Sequence, residues 1–577
     1  MLGGRRGISF GPMLRSLAGK LRFDIVSRPI DHLGRRIKLG SLGSLSELPF
    51  NVKTLTGAGV LRPVRPDKLV LMMRVLARWG ASPAAGITAA AINHPDDPMV
   101  LDEAGSSTFA AVHRRSNALA RALAGQGVGE GDGVAIMCRN HHGFIEATLA
   151  ISKLGANGLY MNTAFAAPQL ADVVERERPV ALIHDEEFAG LLSQAREAGK
   201  EMGLKAFVAW REDGEAGDAA LEELIAATGD SDLEPPTESS RFVILTSGTT
   251  GAPKGAQRAQ PDTLSPLAAL FSKIPLKANE RTMIAAPLFH SWGFAHFVLG
   301  LSLNSTYVLR RRFDPEDTLR VTQETGATAL VVVPVMMQRI LELPAETLAR
   351  YDLPALRVTA ASGSALPGEL AIRWMDTFGD NLYNLYGSTE VAWATIATPE
   401  DLRAAPGTAG KPPRGTAVRI VDAEGREVEP GKTGRVFVGN EMAFEGYTGG
   451  GGKEVLDGLL SSGDVGHFDR AGRLFIDGRD DEMIVSGGEN VFPREVEDLL
   501  SDREDVKEVA VIGVEDEDFG QRLKAFVVLN EGAELTADEI KAHVKSNLAR
   551  YKIPRDVEFV DSLPRNATGK ILKRELA

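Results

Sequence analysis

The feature that most restricts the fold is an alternation of short apolar runs with amphipathic segments, which continues from about residue 86 to about residue 478. The apolar runs have the length of strands, and the segments between them carry apolar residues at helical spacing. Clear examples are the strand patterns at 134–138, 157–161 and 180–184 and the helical patterns at 143–154 and 168–177. Repeated strand–helix units indicate parallel sheets covered by helices, so we expect an α/β fold.

Two later regions depart from this alternation. Residues 416–439 contain the short β runs AVRIVD and GRVFVG separated by glycine-containing turns, which indicates a small barrel or an antiparallel sheet. The remaining chain contains two helical and three strand patterns, which predict a small α+β domain. Because 577 residues exceed what one hydrophobic core supports, we expect an extension at 1–85, a large domain at 86–479 and a C-terminal domain at 480–577.

Composition narrows the class of protein. Hydrophobic residues make up 44% and charged residues 25% of the chain, as in ordinary soluble proteins. No apolar run reaches the roughly 18 residues that cross a membrane. The single cysteine, Cys138, excludes an internal disulfide and a thiolate metal site. It lies in an apolar strand pattern, so we expect it to be buried and structural. These features favour a cytoplasmic protein.

The net charge of −13 conceals an uneven distribution. Residues 1–40 carry nine Lys or Arg and two Asp, so the rest of the chain is strongly acidic. Enzymes that act on nucleic acids are usually basic around their working surface. We therefore expect small-molecule substrates and no nucleic-acid partner. The sequence leaves the oligomeric state open, with a homodimer as one alternative.

Within the basic extension, residues 67–80 predict a helix. Asp67 is suited to the N-cap, and the apolar side chains that follow recur at helical spacing, namely Leu69, Met72, Met73, Leu76 and Trp79. Two interpretations stay open. The helix packs on the large domain, or it lies on an anionic membrane with Arg74 and Arg78 near the headgroups. The second would place the protein peripherally at the inner face of the membrane.

The stretch LTSGTTGAPKGA, residues 245–256, has the composition of a phosphate-binding loop. Glycines let backbone N–H groups approach an anion closely, hydroxyl residues add donors, and Lys254 adds a positive charge. The loop is not a P-loop, because the pattern G-x-x-x-x-G-K-[ST] counted from Gly248 requires a glycine where the chain has Pro253. We therefore expect a phosphate cradle of another kind.

Four further motifs follow in order along the chain: NLYNLYGSTE at 381–390, SSGDVG at 461–466, GRDDEMIVSGGENVFPREVE at 478–497 and LPRNATGKILKREL at 563–576. Together with the loop they resemble the superfamily of adenylate-forming enzymes, which comprises acyl-CoA synthetases, adenylation domains and luciferases. The resemblance covers roughly residues 90–577. The stretch MCRNHHGFIEA and the basic extension are most similar to bacterial fatty-acyl-CoA synthetases.

The resemblance implies a reaction in two steps. A carboxylate and MgATP give an acyl-adenylate and pyrophosphate, and the thiol of coenzyme A then gives acyl-CoA and AMP. A carboxylic acid has a pKa near that of Glu, about 4.3, and is already a nucleophile at neutral pH. The obstacle is repulsion between two anions, which cations and N–H donors must offset as charge develops on the α-phosphate.

The resemblance also implies a nucleotide site built from several motifs. Around the β- and γ-phosphates it places Thr246, Ser247, Gly248, Thr249, Thr250, Gly251 and Lys254. Around the adenine, ribose and α-phosphate it places Gly363, Ser364, Ala365, Asn384, Tyr386, Gly387, Ser388, Thr389, Asp464, Arg479 and Lys570. Glu390 and Thr246 are expected to hold Mg²⁺, a hard cation that suits carboxylate and phosphate oxygens. The residues expected to act in catalysis are Lys570, Thr246, Lys254, Glu390 and His290.

For the second step, the resemblance implies that the C-terminal domain is mobile and rotates about a hinge at Asp481. The rotation moves Lys570 out and opens a tunnel for the thiol. Gly487 and Gly488 are expected along the pantetheine arm of coenzyme A, and His290 is expected to gate the tunnel.

The acid is expected to bind among His290, Trp292, Gly293, Phe294, Met336, Ser362 and Trp393. This set carries no carboxylate to hold an amino acid's ammonium group, so an apolar acid fits better. Gly293 is expected to keep a tunnel open for a chain. A fatty acid is the leading expectation. An aryl or other apolar acid stays open, as does loading of a fatty acyl-adenylate onto a carrier protein. Intact Lys254 and Glu390 argue against an inactive lipid-binding scaffold.

Overall fold

The computed structural model describes residues 46–212, 218–246, 254–258, 263–442, 444–448, 450, 452–482, 484–486, 489–516, 520–566 and 569–576. All of them belong to one compact unit that spans residues 40–577.

The helices and strands of the described residues follow the predicted alternation. The helices are α1 (Leu48–Ala58), α2 (Pro66–Trp79), α3 (Pro83–Asn93), α4 (Phe109–Gly125), α5 (His142–Leu154), α6 (Ala167–Glu177), α7 (Leu192–Ala198), α8 (Leu221–Ala226), α9 (Ser265–Lys273), α10 (Ser291–Leu303), α11 (Pro315–Thr325), α12 (Pro334–Leu341), α13 (Ala345–Leu348), α14 (Gly368–Phe378), α15 (Pro399–Ala404), α16 (Pro493–Ser501) and α17 (Ala537–Asn547).

The strands up to residue 400 are β1 (Pro98–Asp102), β2 (Gly105–Thr108), β3 (Gly133–Met137), β4 (Asn157–Tyr160), β5 (Ala181–Asp185), β6 (Lys205–Trp210), β7 (Ala219–Ala220), β8 (Phe242–Thr246), β9 (Lys254–Arg258), β10 (Arg281–Ile284), β11 (Thr306–Leu309), β12 (Ala329–Val332), β13 (Val358–Ala361), β14 (Leu382–Tyr386) and β15 (Thr395–Ala397). Those that follow are β16 (Ala417–Val421), β17 (Gly434–Gly439), β18 (Phe444–Tyr447), β19 (Val455–Leu456), β20 (Leu459–Phe468), β21 (Leu474–Arg479), β22 (Ile484–Ser486), β23 (Glu489–Val491), β24 (Val506–Asp516), β25 (Gly520–Leu529) and β26 (Asp556–Phe559).

Two eight-stranded sheets form the framework of the large domain. The first has the order β7-β6-β5-β3-β4-β8-β9-β18 and the second β2-β1-β11-β10-β12-β13-β14-β15. Their central strands are parallel, as the strand–helix alternation predicts. Strand β3 shows why: Val134 and Ile136 lie in one core, and Ala135 and Met137 lie in another. A strand buried on both faces is apolar throughout, which is typical of parallel sheets. The predicted α/β fold is confirmed.

Helix α10 joins the two sheets. The Phe294 ring packs 4.6 Å from the ring of Tyr160 in the first sheet. One turn further, the Phe297 ring packs 5.4 Å from the ring of Tyr307 in the second sheet. The carboxyl ends of β13 and β14 lie in the second sheet. Helix α10 therefore fixes the position of that edge of the second sheet relative to the first sheet.

Two smaller sheets complete the fold. Strands β16, β17, β20, β19 and β21 form an antiparallel sheet, in the region where the sequence predicts a barrel or an antiparallel sheet. Strands β23, β22, β25, β24 and β26 form the C-terminal sheet, and α16 and α17 bury Val496 and Val544 in its core. This is the α+β arrangement predicted for the C-terminal region. The exact boundaries of the three predicted domains stay predictions.

Helix α1 packs into the main core, although its residues belong to the predicted extension. Leu55 is fully buried, and the side-chain amide of Asn51 donates to the hydroxyl of Ser265 at the start of α9, at 2.9 Å. Part of the extension therefore belongs to the body of the protein.

Helix α2 forms as predicted, but the prediction that Asp67 is its N-cap is wrong. The N-cap is Arg65, and Pro66 and Asp67 lie in the first turn. Proline favours this position because its missing N–H would have no partner there. The apolar residues of the predicted helix also fall into two groups according to their burial. Val75 is buried and Met72 and Trp79 are partly buried, whereas Leu69, Met73 and Leu76 are exposed.

Cys138 is fully buried at the end of β3, as predicted, and burial raises the pKa of its thiol. None of the helices in the described part of the chain has both the length and the apolar content needed to cross a bilayer.

Candidate functional site

A polar network connects the end of β14 with the small antiparallel sheet. The hydroxyl of Tyr386 donates to one oxygen of Asp464 at 2.5 Å and contacts the hydroxyl of Ser462 at 3.3 Å. The guanidinium of Arg479 donates to the other oxygen of Asp464 at 3.2 Å. Asp464 and Arg479 face each other because they are register partners in the β20–β21 pair. Three residues taken from separate motifs therefore meet at one point.

The charges of this network interact strongly. Burial raises the pKa of Asp464, and the charge of Arg479 and the hydrogen bond from Tyr386 partly offset that rise. The charge of Lys570 acts on Asp464 in the same direction as that of Arg479. Lys570 is 106 residues further along the chain than Asp464, so the fold brings the C-terminal lysine into electrostatic reach of the network.

Asn384 lies on the same strand as Tyr386, and its side-chain amide carries a hydrogen-bond acceptor that is not used. Asn384 is 7% exposed, and its Oδ1 has no hydrogen-bond donor within the described part of the structure. Asn384 lies opposite Ala361 in the β13–β14 pair. Ala361 comes just before the predicted segment Gly363, Ser364 and Ala365. A buried acceptor without a donor is costly, and such groups are often completed by a ligand. The N–H group of a nucleobase would supply the missing donor.

Gly387 begins a tight turn that carries Glu390. A β-carbon on Gly387 would lie 2.1 Å from the carbonyl oxygen of Ala392, so no other residue fits this close approach. Within the turn, the hydroxyl of Ser388 accepts from the backbone N–H groups of Glu390 and Val391 at 3.2 and 3.3 Å. Thr389 lies between Ser388 and Glu390 and is partly buried. The turn fixes the direction in which the Glu390 carboxylate points.

Hydrogen bonds keep the Glu390 carboxylate charged. Its oxygens accept from the hydroxyl of Tyr447 at 2.5 Å and from the hydroxyl of Ser388 at 2.8 Å. Burial alone would raise the pKa of Glu390, but these hydrogen bonds and the charge of Lys453 outweigh it, and the pKa lies below its usual value. An ionised carboxylate held in this way fits Mg²⁺, which is bound by one or two carboxylates together with phosphate oxygens.

The phosphate loop is described only at its stem. Thr246 ends β8, Lys254 begins β9, and the two residues are paired in an antiparallel hairpin. Ser247, Gly248, Thr249, Thr250 and Gly251 lie outside the described residues, as do the side chains of Thr246 and Lys254. Strand β18 pairs with β9 and places Tyr447 opposite Ala256. The hydroxyl partner of Glu390 therefore stands on the strand next to the loop.

The loop that carries Lys570 rests on the large domain. Gly569 has a φ of +79°, and a β-carbon there would lie 2.2 Å from Val335 in the first turn of α12. The backbone N–H of Lys570 donates to the side chain of Asn566 at 2.9 Å, and the lysine side chain is exposed. Glycine is the residue type that combines this left-handed conformation with so close a contact.

A cavity of about 280 Å³ lies where this loop meets α12, and it is lined by Phe313, Val333, Val335, Met336, Arg339, Arg565, Asn566 and Gly569. Its volume is near the lower end of the range for small-molecule sites, roughly 300–1,000 Å³. A β-carbon on Gly363 would contact Val333 at 3.3 Å and the ring of His290 at 3.9 Å. The cavity therefore adjoins the predicted gate residue, and the predicted pocket residue Met336 forms part of its wall.

His290 is the N-cap of α10, and its Nδ1 accepts from the backbone N–H of Trp292 at 3.5 Å. The ring keeps some solvent contact, but the surrounding protein lowers the pKa of His290 to about 4. The ring is therefore neutral at pH 7. Trp292 is buried behind it, and its indole N–H donates to the carbonyl oxygens of Val332, which ends β12, and of Ala360 in β13.

Two predictions about α10 are wrong. Gly293 does not keep a tunnel open, because a β-carbon there would lie 2.3 Å from the carbonyl oxygen of Pro287. The glycine allows the helix to approach the preceding backbone. Phe294 does not share a pocket with Trp292, because residues two apart on a helix point in nearly opposite directions. Its ring packs against Tyr160 and Phe242 in the core.

The remaining predicted pocket residues lie near the ends of the second sheet. Ser362 follows β13 and is 8% exposed. Trp393 is partly buried, and its indole N–H donates to the hydroxyl of Thr416 at 3.0 Å. Trp393 therefore stands between the second sheet and the small antiparallel sheet.

The predicted hinge residue Asp481 lies in a short 3₁₀ turn, Asp480–Glu482, between β21 and β22. The ammonium of Lys573 pairs with Glu482 at 3.1 Å and with Glu497 at 2.8 Å, which ties the end of the chain to this turn. Gly487 and Gly488 lie outside the described residues. The hinge role of Asp481 stays a prediction.

Sequence reasoning missed several residues of the site. Tyr447 holds Glu390 together with the predicted Ser388, Lys453 lies close enough to influence the charge of Glu390, and Ser462 contacts Tyr386. Ser462 lies inside the motif SSGDVG, and its hydroxyl was available as a signal. Tyr447 and Lys453 lie on either side of the glycine run at 449–452, with no recognisable spacing. The pairing of β18 with β9 places Tyr447 near the site, and the effect of Lys453 on the charge of Glu390 shows that Lys453 is near as well.

Among the residues that the structure describes, two other clusters have ligand atoms close enough to hold a metal ion, namely Cys138, His141 and Asp185, and His142, Glu146 and Glu222. In the first, His141 pairs with Asp185 at 2.8 Å. In the second, His142 pairs with Asp102 at 2.7 Å, and Arg115 pairs with Glu146 at 2.5 Å. Partners within the protein already satisfy both groups.

Comparison with known proteins places these features in context. The profile of the family described as AMP-binding enzyme matches residues 87–448, and that of the AMP-binding enzyme C-terminal domain matches residues 495–570. The chain is 33% identical over 466 residues to an indoleacetate–CoA ligase of Aromatoleum aromaticum, covering 79% of this chain and 90% of the relative.

It is also 34% identical over 474 residues to a feruloyl-CoA synthase of an Amycolatopsis species, covering 81% of this chain and 93% of the relative. Among solved structures, an anthranilate CoA ligase, AuaEII, in complex with anthranoyl-AMP is similar with a TM-score of 0.76 and 26% identity. That match covers 86% of this chain and 96% of the other.

Proposed function

Because this chain belongs to the family of AMP-binding enzymes, we propose that it is an AMP-forming acid–CoA ligase and that its acid is of the aryl type. The observation that carries the proposal is the contact of Tyr386, Asp464 and Arg479 from three separate motifs, with Lys570 close enough for its charge to act on Asp464. A nucleotide bound against Tyr386 and Asp464 would lie within reach of the lysine that the reaction requires.

The residues around Asn384 are suited to bind the nucleoside. The unpaired Oδ1 of Asn384 would accept from the exocyclic amino group of adenine, the ring of Tyr386 would stack on the base, and Asp464 would accept from the ribose hydroxyls. Asp464 retains one geometry because Tyr386 and Arg479 hold both of its oxygens. Binding therefore requires little reorganisation of the protein.

In the first step, a carboxylate oxygen of the acid attacks the α-phosphorus of ATP, and the bond to pyrophosphate breaks. No proton is transferred, because the acid is already ionised. Lys570 is exposed and follows Gly569, which lines the cavity, so its side chain would lie between the two anions, where its charge lowers their repulsion. Glu390 would hold Mg²⁺, which supplies further positive charge to the phosphates.

In the second step, the thiol sulfur of coenzyme A attacks the acyl carbonyl carbon. The bond from that carbon to AMP breaks, the thioester forms, and the thiol proton is lost. The Lys570 loop now occupies the face of α12, so we propose that it moves away about Asp481 to admit the thiol. The neutral ring of His290 beside Gly363 would control the path to the carbonyl.

Two observations support an aryl-type acid. The named relatives act on indoleacetate and ferulate, and the named structure holds anthranoyl-AMP. The cavity near His290 holds only about 280 Å³ between apolar side chains and the polar side chains of Arg339, Arg565 and Asn566, a size that suits a ring better than a long chain. A fatty acid is the second candidate, because Val333, Val335 and Met336 would line the path of an aliphatic chain equally well.

Pyrophosphate release with a panel of acids tests the proposal. The panel should contain indole-acetic, cinnamic, benzoic and fatty acids of several lengths, each with and without coenzyme A. We expect release with aryl acids, and AMP with thioester only when coenzyme A is present. Preference for fatty acids would favour the second candidate. Absence of release with every acid would overturn the proposed ligase.

A further inference from the structure

One side of α2 presents an uninterrupted apolar surface to solvent. Leu69, Val70, Met73 and Leu76 are 46%, 51%, 62% and 48% exposed, and we call these four residues the α2 apolar face. Their spacing places them along one stripe of the helix. Within the described residues, half of the large hydrophobic side chains that are exposed belong to this helix. Such concentration marks an interaction surface more often than scattered exposure does.

The opposite side of α2 holds the helix in place. Val75 is 8% exposed, and the ammonium of Lys68 donates to the carbonyl oxygen of Asn93 at 3.0 Å. The side-chain amide of Asn93 contacts the sulfur of Met72 at 2.7 Å. These contacts join α2 to α3. The helix is therefore fixed by one face, and the α2 apolar face points away from the body of the protein.

Basic residues border the α2 apolar face. Arg74 and Arg78 lie beside it, and Arg65 precedes it; Arg78 also pairs with Glu234, and Arg65 with Asp67. Residues 1–40 of the sequence are also basic, with nine Lys or Arg and two Asp, whereas the whole chain has a net charge of −13. An anionic surface would therefore attract this end of the protein and repel the remainder.

We infer that the α2 apolar face docks on an anionic lipid surface. Apolar side chains beside arginines are the composition of a helix that lies in the headgroup region, with its apolar residues inserted and its arginines at the phosphates. A second copy of the chain fits less well, because the basic borders of two such helices would repel each other. The inference does not depend on the acid that the enzyme activates.

Vesicle sedimentation of the full-length protein tests the inference. We compare vesicles of phosphatidylcholine alone with vesicles of equal phosphatidylcholine and phosphatidylglycerol, at low and high salt. We expect binding to the anionic vesicles only. A double variant, Met73→Glu and Leu76→Glu, should bind about tenfold or more weakly, because it places charge in the inserted face. A second variant, Arg74→Gln and Arg78→Gln, should bind more weakly and with less dependence on salt.

Val455 provides the matched control. It is 60% exposed in a region far along the chain, and Val455→Glu should bind vesicles as the wild type does. Light scattering and thermal unfolding check that each variant keeps its assembly and fold. Equal vesicle binding by the wild type and the Met73 and Leu76 variant would overturn the inference, as would no binding by the wild type. A smaller assembly in that variant alone would assign the face to a second copy instead.

Discussion

The nucleotide side and the acid side of the candidate site are built differently. On the nucleotide side, Tyr386, Asp464 and Arg479 form a closed set of hydrogen bonds, and Glu390 is held by two hydroxyls. On the acid side, the cavity wall combines the apolar side chains of Val333, Val335 and Met336 with the polar side chains of Arg339, Arg565 and Asn566. A co-substrate such as ATP, which all reactions of this type use, permits a fixed arrangement of polar groups. Apolar contacts select an acid by its shape, and they tolerate amino-acid substitution more readily.

The electrostatics of the two sides also differ. Asp464 and Glu390 are carboxylates with charged or hydroxyl partners. The histidines near the acid side, His290 and His296, are kept neutral because their surroundings lower the pKa of each to about 4. The nucleotide side should therefore respond most strongly to loss of charge, and the acid side to changes of volume. The following predictions test that distinction.

Replacing Lys570 should have the largest effect. Lys570→Ala should reduce pyrophosphate release by about 10²–10³-fold, because a charge that stabilises the transition state is lost. Thioester formation from supplied acyl-adenylate should change little. Lys545→Ala, at an exposed position of α17, is the control. Equal loss in both half-reactions would show that Lys570 does not belong to the nucleotide side alone.

Asp464→Asn should act mainly on the nucleotide. The KM for ATP should rise roughly tenfold or more, because hydrogen bonds to a charged group are lost, while the KM for the acid should stay within about a factor of two. Steady-state kinetics with each substrate varied in turn would measure both. Asp457→Asn is the matched control, since Asp457 is exposed with a φ of +49° that asparagine also adopts. A similar rise in both KM values would remove the distinction.

Met336→Ala should act on the acid side. The enlarged cavity should shift the preference between a small and a larger acid by about tenfold, with the KM for ATP unchanged. Met337→Ala is the control, because Met337 is fully buried in the same helix and is not part of the cavity wall. It should lower the free energy of unfolding by about 2–5 kcal/mol without altering preference. No change of preference in Met336→Ala would exclude this cavity as the acid site.

His296 should make stability depend on pH. Its Nδ1 lies 3.1 Å from the carbonyl oxygen of Trp292 and must carry the proton, and its Nε2 has no partner in the described structure. The folded pKa of about 4 lies below the ordinary value of 6.5. Between these values the unfolded chain binds more protons, so stability rises with pH and levels off above about 6.5.

His296→Leu should remove this contribution. The slope of unfolding free energy against pH should fall by up to about 1.4 kcal/mol per pH unit between pH 4.5 and 6.5. At pH 7 the cost should be small, because an unpaired nitrogen is removed. Urea unfolding at several pH values would measure both. An unchanged slope would mean that His296 does not titrate as expected.

The smallest effect is expected at the turn between the two sides. Ala392 has a φ of +61°, which is unfavourable for any residue with a β-carbon. Ala392→Gly should change the free energy of unfolding by no more than about 1 kcal/mol in the stabilising direction. Ala397→Gly, in strand β15, should be destabilising by about the same amount. Clear destabilisation by Ala392→Gly would show that the turn needs its methyl group.

The sequence predicted much of the nucleotide side and less of the acid side. Asp464, Arg479 and Lys570 lie in motifs whose residue types express their chemistry, and strand β20 carries Asp464 opposite Arg479 by ordinary antiparallel register. Gly293 and Phe294 were misassigned because helical spacing shows which residues share a face but not what that face contacts. Contact with Pro287 and with Tyr160 is a property of packing.

By itself, the sequence determined the parallel α/β framework, the order of its motifs and the uneven charge of the chain, because hydrophobic period and residue type act locally. The tertiary structure decided that Tyr447 reaches Glu390, that Gly569 rests on Val335 and that Leu69 and Met73 face solvent while Val75 is buried. These contacts join residues that are distant along the chain or select one face among several. Strand pairing and close packing decide them, and spacing along a sequence does not encode distance in space.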